Sequence, residues 1–168
     1  MKTTYFLPLL AFLLFASKSF AQLINEDCSN ATVITPSISP ACNAGAGTFL
    51  GSLQNTITCE TGSHQDVWYQ FIAKQEVNKV SLSSSSGLDH GFEVIDGTCS
   101  GMSMFCVDNN GFSTSEAYTS DQYVIGNTYY IRVFNSFTNL AAQNFTICIE
   151  NSPPARNILI NQFYCVMW

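Results

Sequence analysis

Short segments with a two-residue hydrophobic period recur between residues 31 and 150, whereas helical periodicity is hard to find. In the segment 67–73, for example, Val67, Tyr69 and Phe71 occupy every second position. Such alternation places one set of side chains on the buried face of a strand. Gly, Asn, Asp and Ser separate the segments and supply turn chemistry. The sequence therefore predicts an all-β fold, a two-sheet antiparallel β-sandwich. We expect nine strands, at residues 31–35, 47–53, 67–73, 79–84, 91–95, 102–107, 117–124, 128–134 and 144–150.

The composition excludes several classes of protein. Of the 168 residues, 46% are hydrophobic and only 11% are charged, which excludes an intrinsically disordered chain. Twelve acidic residues against six basic ones give a net charge of -6, which disfavours binding to nucleic acid.

The N-terminus predicts export. An apolar run at residues 6–16 lies between Lys2 and Lys18, and Ser19-Phe20-Ala21 then offers the small residues that a signal peptidase reads. We interpret residues 1–21 as a signal peptide, and we expect a secreted, extracellular protein. The run is too short for a membrane span, which needs about 20 apolar residues, and no later segment is long enough. Removal of Lys2 and Lys18 leaves four basic and twelve acidic residues, a net charge of -8.

The rest of the chain divides at a pair of prolines. Residues 22–152 hold all the expected strands, and Pro153-Pro154 cannot join a ladder of backbone hydrogen bonds. Residues 153–168 are interpreted as a linker and a hydrophobic tail. Two interpretations of the tail stay open: a last strand, or the stub of a truncated longer protein.

Seven cysteines follow the predicted signal peptide, where export lets disulfides persist. Six are expected to form disulfides: Cys28, Cys42, Cys59, Cys99, Cys106 and Cys148. Only six residues separate Cys99 from Cys106, and this spacing predicts a bridge between them. The other four allow three connectivities, of which we prefer Cys28–Cys42 with Cys59–Cys148. Cys165, in the tail, is left over.

Six motifs in a fixed order resemble a known family. They are NEDCSNAT at 25–32, DVWYQF at 66–71, GFEVIDGTC at 91–99, CVDN at 106–109, GNTYYIRV at 126–133 and FTIC at 145–148. Residues 25–150 thereby resemble the bacterial pre-peptidase C-terminal domain, in the cysteine-rich version of secreted proteins from gliding bacteria. The resemblance implies a jelly-roll-like sandwich with a non-catalytic accessory role, and some such domains bind polymeric substrates or calcium. The catalytic domain and the C-terminal sorting domain usual in these proteins do not accompany this copy.

Motifs for enzymatic chemistry are missing. The sequence contains neither Gly-x-Ser-x-Gly nor His-Glu-x-x-His. Its two histidines are His64 and His90, and a triad of Asp89, His90 and a serine carries no information because serines are so common. We predict that the protein is not an enzyme. Within the strands, Arg132 is expected to pair with a carboxylate on a neighbouring strand, and Trp68 is expected to be packed.

One turn suggests a cation. The sequence Asp108-Asn109-Asn110-Gly111 clusters oxygen donors, and Asp89 lies in the preceding segment. Calcium prefers such oxygens, so a calcium site at Asp108, Asn109 and Asp89 is predicted. The same turn also forms without an ion, and EF-hand spacing is absent.

Two classes of function fit this sequence. The first is a binding or adhesion module that contacts an extracellular polysaccharide or protein through exposed aromatic side chains. Its candidates are Trp68, Tyr118, Tyr123 and Tyr130. The second is a ligand-free spacer or secretion accessory of a larger secreted protein, in which the same side chains would be buried. A hydrolase is a distant third. The sequence predicts no oligomeric state.

Overall fold

A computed structural model of the chain describes residues 23–56, 59–84, 88–112, 115–137 and 144–152. The predicted signal peptide, 1–21, and the predicted linker and tail, 153–168, lie outside these described residues. The strands are β1 (Thr32–Val33), β2 (Ser37–Ile38), β3 (Gly45–Thr48), β4 (Gln54–Thr56), β5 (Ser63–Ile72), β6 (Val77–Ser84), β7 (His90–Asp96), β8 (Ser103–Val107), β9 (Glu116–Ser120), β10 (Thr128–Asn135) and β11 (Asn144–Ser152). A single 3-10 turn, Cys28–Asn30, precedes β1. In these ranges no helix has the length and hydropathy that a membrane crossing requires.

The strands form two sheets that pack face to face. The first sheet has the order β1-β5-β10-β7-β8, with β4 also paired to β5, and the second has the order β2-β11-β6-β9, with β3 also paired to β11. Most neighbours are antiparallel, but β1 runs parallel to β5 and β2 runs parallel to β11. The predicted two-sheet sandwich is confirmed. The parallel pairs arise because the chain crosses from the first sheet to the second between β1 and β2.

The predicted alternation supplies the core between the sheets. Val67, Tyr69 and Phe71 of β5 point inward and are buried. The inward residues of β10 and β11 join the same cluster: Tyr129, Ile131, Val133, Phe145, Ile147 and Ile149. Apolar side chains at every second position of two facing sheets thus close one continuous core.

Two predicted strands end earlier than expected, and two short strands, β2 and β4, were not predicted. The strand expected at 47–53 ends at Thr48, because Phe49 turns into the core and Gly51 takes a φ of 90°. The strand expected at 117–124 ends at Ser120, whose hydroxyl accepts a hydrogen bond from the backbone N–H of Gln122. β4 was not predicted because its three residues are polar and exposed.

Four connections meet at one end of the sandwich. They follow β4, β6, β8 and β10, and the antiparallel registers align the ends of these strands. We call the described residues of these connections, at 59–62, 88–89, 108–112 and 136–137, the loop end. The connections after β5, β7 and β9 lie at the opposite end.

Three disulfides staple the sandwich, and they pair Cys28 with Cys99, Cys42 with Cys148 and Cys59 with Cys106. The six cysteines expected in disulfides are therefore bonded. The expected Cys99–Cys106 bridge is wrong, and so are the preferred Cys28–Cys42 and Cys59–Cys148 pairings.

The geometry of the strands explains the wrong pairings. Cys106 lies in β8 opposite Glu93, whereas Cys99 lies in the turn beyond Asp96. The strand rises about 3.3 Å per residue, so the three residues from Glu93 to Asp96 span about 10 Å. Cys106 and Cys99 are therefore about 10 Å or more apart along the hairpin, which is too far for a disulfide. Cys28 and Cys42 lie beside different sheets, because the chain changes sheets between β1 and β2.

Candidate functional site

A cleft of about 540 Å³ opens between the edges of the two sheets, where β3 of the second sheet approaches β1 of the first. Its lining comes from five separate segments: Asn25, Thr32, Ala46, Gly47, Thr48, Tyr69, Asn144, Phe145 and Thr146. None of these nine side chains carries a charge at neutral pH. The cleft therefore offers amide and hydroxyl groups around an apolar floor.

The floor of the cleft consists of two buried aromatic rings. Tyr69 and Phe145 meet edge to face, with ring centroids 6.2 Å apart. Burial raises the pKa of the Tyr69 hydroxyl to about 12, although a hydrogen bond with the Asn25 side chain opposes this effect. The hydroxyl consequently stays protonated at neutral pH, when it can both donate and accept a hydrogen bond.

Gly47 determines how closely β3 approaches this floor. A Cβ atom at this position would overlap the ring of Phe145 and the hydroxyl of Tyr69. Only glycine lets the backbone of β3 lie against both rings. The small residues of β3 therefore shape the cleft.

The outer face of the first sheet holds a buried ion pair. Arg132 Nε lies 2.5 Å from Asp66 Oδ2, and the side chains are 10% and 0% exposed. The Arg132 guanidinium also lies over the ring of Trp68, 5.2 Å from its centroid. Residues of β4 complete the network: Asn55 Nδ2 donates to Asp66 Oδ1, and Arg132 Nη2 donates to the Thr56 carbonyl. The predicted pairing of Arg132 with a neighbouring strand's carboxylate is confirmed, and the pair holds β4 in place.

The four aromatic candidates for ligand binding do not share one surface. Trp68 is buried on the outer face of the first sheet, and Tyr130 packs against the same cluster. Tyr123 is buried in the core, in contact with three other rings. Tyr118 is 41% exposed at the edge of the second sheet, where it packs on Phe105. The packing expected for Trp68 is confirmed, and the burial of Trp68 and Tyr123 contradicts an exposed platform at these two rings. Ligand contact by Tyr118 and Tyr130 stays a prediction.

Ser136 joins two of the predicted calcium ligands at the loop end. Its hydroxyl donates a 2.7 Å hydrogen bond to Asp108 Oδ2, and its backbone N–H donates to the Asp89 carbonyl at 2.9 Å. Asn109 is exposed beside them. Glu60, which was not predicted, is also hydrogen-bonded to Asp108. Its signal in the sequence was weak, because it is a single carboxylate in another connection.

Proximity of these carboxylates changes their ionisation. Burial and the charge of Asp108 raise the pKa of Glu60 and the pKa of Asp89 above their ordinary values. The nearby His64 charge opposes the shift at Glu60. Burial lowers the pKa of His90, although Asp108 opposes this shift. His90 is therefore neutral at physiological pH, and the carboxylates repel one another.

The calcium prediction is not decided by this arrangement. Among the described residues, no group of three or more His, Cys, Asp or Glu side chains is placed to hold a metal ion. Calcium binding by Asp108, Asn109 and Asp89 stays a prediction, and the melting temperature in excess calcium is the measurement that checks it.

Replacing Asp108 by Asn should raise the melting temperature at pH 7 by about 2 °C. The raised pKa values of Glu60 and Asp89 mean that the folded state binds these protons more tightly than the unfolded state. Their contribution to stability is thus full below the ordinary carboxyl pKa and is lost as the pH rises through the raised values. The variant removes the repulsion while its carboxamide oxygen still accepts from Ser136.

The advantage of this variant should shrink as the pH falls below the ordinary carboxyl pKa of about 4, because Glu60 and Asp89 are then protonated and no longer repel the Asp108 charge. Melting curves between pH 3 and pH 8 measure it, with Asp121→Asn at the opposite end as the control. A variant that melts at or below the wild-type temperature at pH 7 would contradict the repulsion.

Neither histidine contacts a serine in the hydrogen bonds of the described residues. The ring nitrogens of His64 lie 3.0 Å from the carbonyl oxygens of Asn135 and Thr61. His90 is 1% exposed, and its Nε2 has no hydrogen-bond partner there. The triad that could be imagined from Asp89 and His90 thus lacks a hydroxyl nucleophile in this part of the chain.

Comparison with known proteins gives one family and several distant structures. Residues 24–147 match the model of the T9SS-associated family described as galactose-binding-domain-like. The pre-peptidase C-terminal domain of a collagenase from Bacillus anthracis is 12% identical, with a TM-score of 0.46 over 71% of this chain and 94% of that one. PliG, a periplasmic inhibitor of g-type lysozyme from Aeromonas hydrophila, is 10% identical, with a TM-score of 0.38 over 71% of this chain and 96% of that one. No curated protein sequence matches.

Proposed function

Because the chain belongs to the T9SS-associated family of galactose-binding-like domains, we propose that it is a secreted, non-catalytic module that binds a neutral extracellular polysaccharide. The resemblance to accessory domains of the pre-peptidase C-terminal type is confirmed by this membership. The three disulfides support an extracellular location, because such bonds persist in oxidising compartments.

The uncharged cleft is the observation that carries the proposal. Sugars present many hydroxyl groups and apolar C–H faces, and both find partners here. Thr32, Asn144 and Thr146 are exposed on the rim, where they can exchange hydrogen bonds with a sugar. Tyr69 and Phe145 provide the apolar floor for its C–H face.

Charge decides which kind of polysaccharide fits. The chain without its predicted signal peptide has a net charge of -8, which repels uronic acid or sulfated polymers. The described residues that line the cleft include no cation that could compensate. A neutral glycan is therefore the ligand that the proposal names.

The double substitution Thr32→Ala and Asn144→Ala tests this function. Each lost hydrogen bond costs about 1 kcal/mol, so the dissociation constant for a neutral glycan should rise about 30-fold. The measurement is calorimetric titration with neutral oligosaccharides found on a glycan array that also carries acidic glycans. Thr119→Ala with Gln122→Ala, which are exposed at the other edge of the second sheet and beyond it, is the matched control and should leave binding unchanged.

A ligand-free spacer is the second candidate, and the burial of Trp68 and Tyr123 favours it. The glycan array distinguishes the binding module from the ligand-free spacer. An array without enrichment of any neutral glycan, obtained with folded and fully oxidised protein, would support the spacer and contradict the binding module.

A further inference from the structure

The loop end combines three carboxylates with two exposed aromatic rings. Asp108 lies close enough to Glu60 and to Asp89 to raise the pKa of both carboxyl groups, and Ser136 bonds to the Asp108 carboxylate and to the Asp89 carbonyl. Next to them, Phe112 is 50% exposed and Phe137 is 52% exposed, with ring centroids 4.9 Å apart and planes at 79°. Half-exposed phenylalanines beside carboxylates form an unusual surface. The rings give the carboxylates no positive charge, and the carboxylates do not shield the rings from water.

The lysine and arginine side chains in the described part of the chain do not neutralise the negative charge of this surface. Lys74 follows β5 at the opposite end, and Lys79 pairs with Glu150 at 3.3 Å. Arg132 is held by Asp66. In the described part of the chain these three are the lysines and arginines, so none of the described lysines or arginines neutralises the carboxylates of the loop end, and His64 is the one described cation whose charge acts on Glu60.

A buried polar atom lies close to Asp108. His90 is the first residue of β7, directly after Asp89, and its ring interacts electrostatically with Asp108. Its Nε2 atom is buried and has no hydrogen-bond partner among the described residues. An unsatisfied buried nitrogen costs about 1–3 kcal/mol, so it points to a bound group that completes it. A neutral imidazole protonated on Nδ1 would accept a hydrogen bond through Nε2.

The chemistry of the surface selects an extended cation. The carboxylates come from three separate connections, and the described residues contain no group of three or more His, Cys, Asp or Glu side chains placed to hold a metal ion, so this surface suits a cation that is wider than a metal ion. A guanidinium group is planar, carries five N–H donors and stacks on aromatic rings, so it can contact several separated carboxylates together. We propose that the loop end binds an arginine side chain of an extracellular partner protein, between the carboxylates and the Phe112–Phe137 pair.

The test uses the oxidised protein and short peptides. The probe is an acetylated and amidated Gly-Gly-Arg-Gly-Gly peptide, titrated while amide chemical shifts are followed by NMR. The expected result is a saturable shift at Ser136 and Phe137, weaker with lysine in place of arginine and absent with citrulline, which is uncharged. Asp108→Asn, whose carboxamide keeps the Ser136 bond, should weaken binding about tenfold. Asp121→Asn at the opposite end is the matched control.

Further outcomes separate this site from the cleft and from other occupants. Substituting Thr32 and Asn144 in the cleft should leave the affinity for the arginine peptide unchanged. The proposal of glycan binding at the cleft and the proposal of arginine binding at the loop end can therefore fail independently. Equal binding of the citrulline peptide, or no shift at the loop end, overturns the inference. A calcium-induced rise in melting temperature that depends on Asp108, without arginine binding, overturns it in favour of a metal site.

Discussion

Replacing Arg132 by Met should lower the free energy of unfolding by about 3–5 kcal/mol. The substitution leaves the fully buried Asp66 side chain without its guanidinium partner, and Asn55 is the side-chain donor that it keeps among the described residues. It also removes the cation over the Trp68 ring and the bond to the Thr56 carbonyl, which anchors β4. Urea denaturation followed by tryptophan fluorescence measures the effect directly, because Trp68 lies within the network.

Two further variants distinguish a buried network from an ordinary ion pair. Lys79→Met removes the pair with Glu150, in which the lysine side chain is 42% exposed and the glutamate side chain is 10% exposed. Loss of this half-exposed pair should cost about 1 kcal/mol, because water solvates the lysine. Removing both buried charges, with Asp66→Leu and Arg132→Met, should cost less than Arg132→Met alone. If Arg132→Met and Lys79→Met lowered the free energy of unfolding equally, burial of the Arg132–Asp66 pair would add nothing to its contribution to stability.

The second large effect is expected for the disulfide that closes the longest loop. Replacing Cys42 and Cys148 together by Ala should lower the free energy of unfolding by about 4 kcal/mol, because the unfolded chain regains the freedom of a loop spanning 106 residues. The bond also fastens the segment before β3 to β11, the strand that supplies Asn144 and Phe145 to the cleft. Binding of a neutral glycan should weaken along with stability.

Replacing Cys59 and Cys106 by Ala is the comparison, because this disulfide spans only 47 residues and lies beside β4. It should cost somewhat less stability and leave the cleft intact. Peptide mapping without reduction checks the connectivity itself. Recovery of a linked Cys99–Cys106 peptide would contradict the pairing that both variants assume.

The alternation of apolar and polar side chains was enough to predict the two sheets, but it predicted neither the strand register nor the disulfide pairing. In β5, β10 and β11 every second side chain is apolar, and burial on one face follows from that period whatever the neighbours are. Sequence order does not give register, so Cys99 and Cys106 looked like partners although they lie at different heights of one hairpin. The polar β4 has no hydrophobic period and was missed.

The candidate sites were predictable in part. Asp89 and Asp108 were expected to meet, and the loop end brings them together around Ser136. The cleft was missed because its residues come from five segments without a shared motif. Its best signal was the run of small residues Gly45-Ala46-Gly47 in a strand, since glycine there marks a close backbone approach.

Each disulfide joins a cysteine at or before position 59 to one at or after position 99. A protease that cuts once anywhere between these positions would therefore produce two fragments that cannot separate. Extracellular space is rich in such enzymes, and a nicked copy would keep its halves tethered at three points. After a cut between residues 59 and 99, the two fragments stay together as long as the three disulfides remain oxidised.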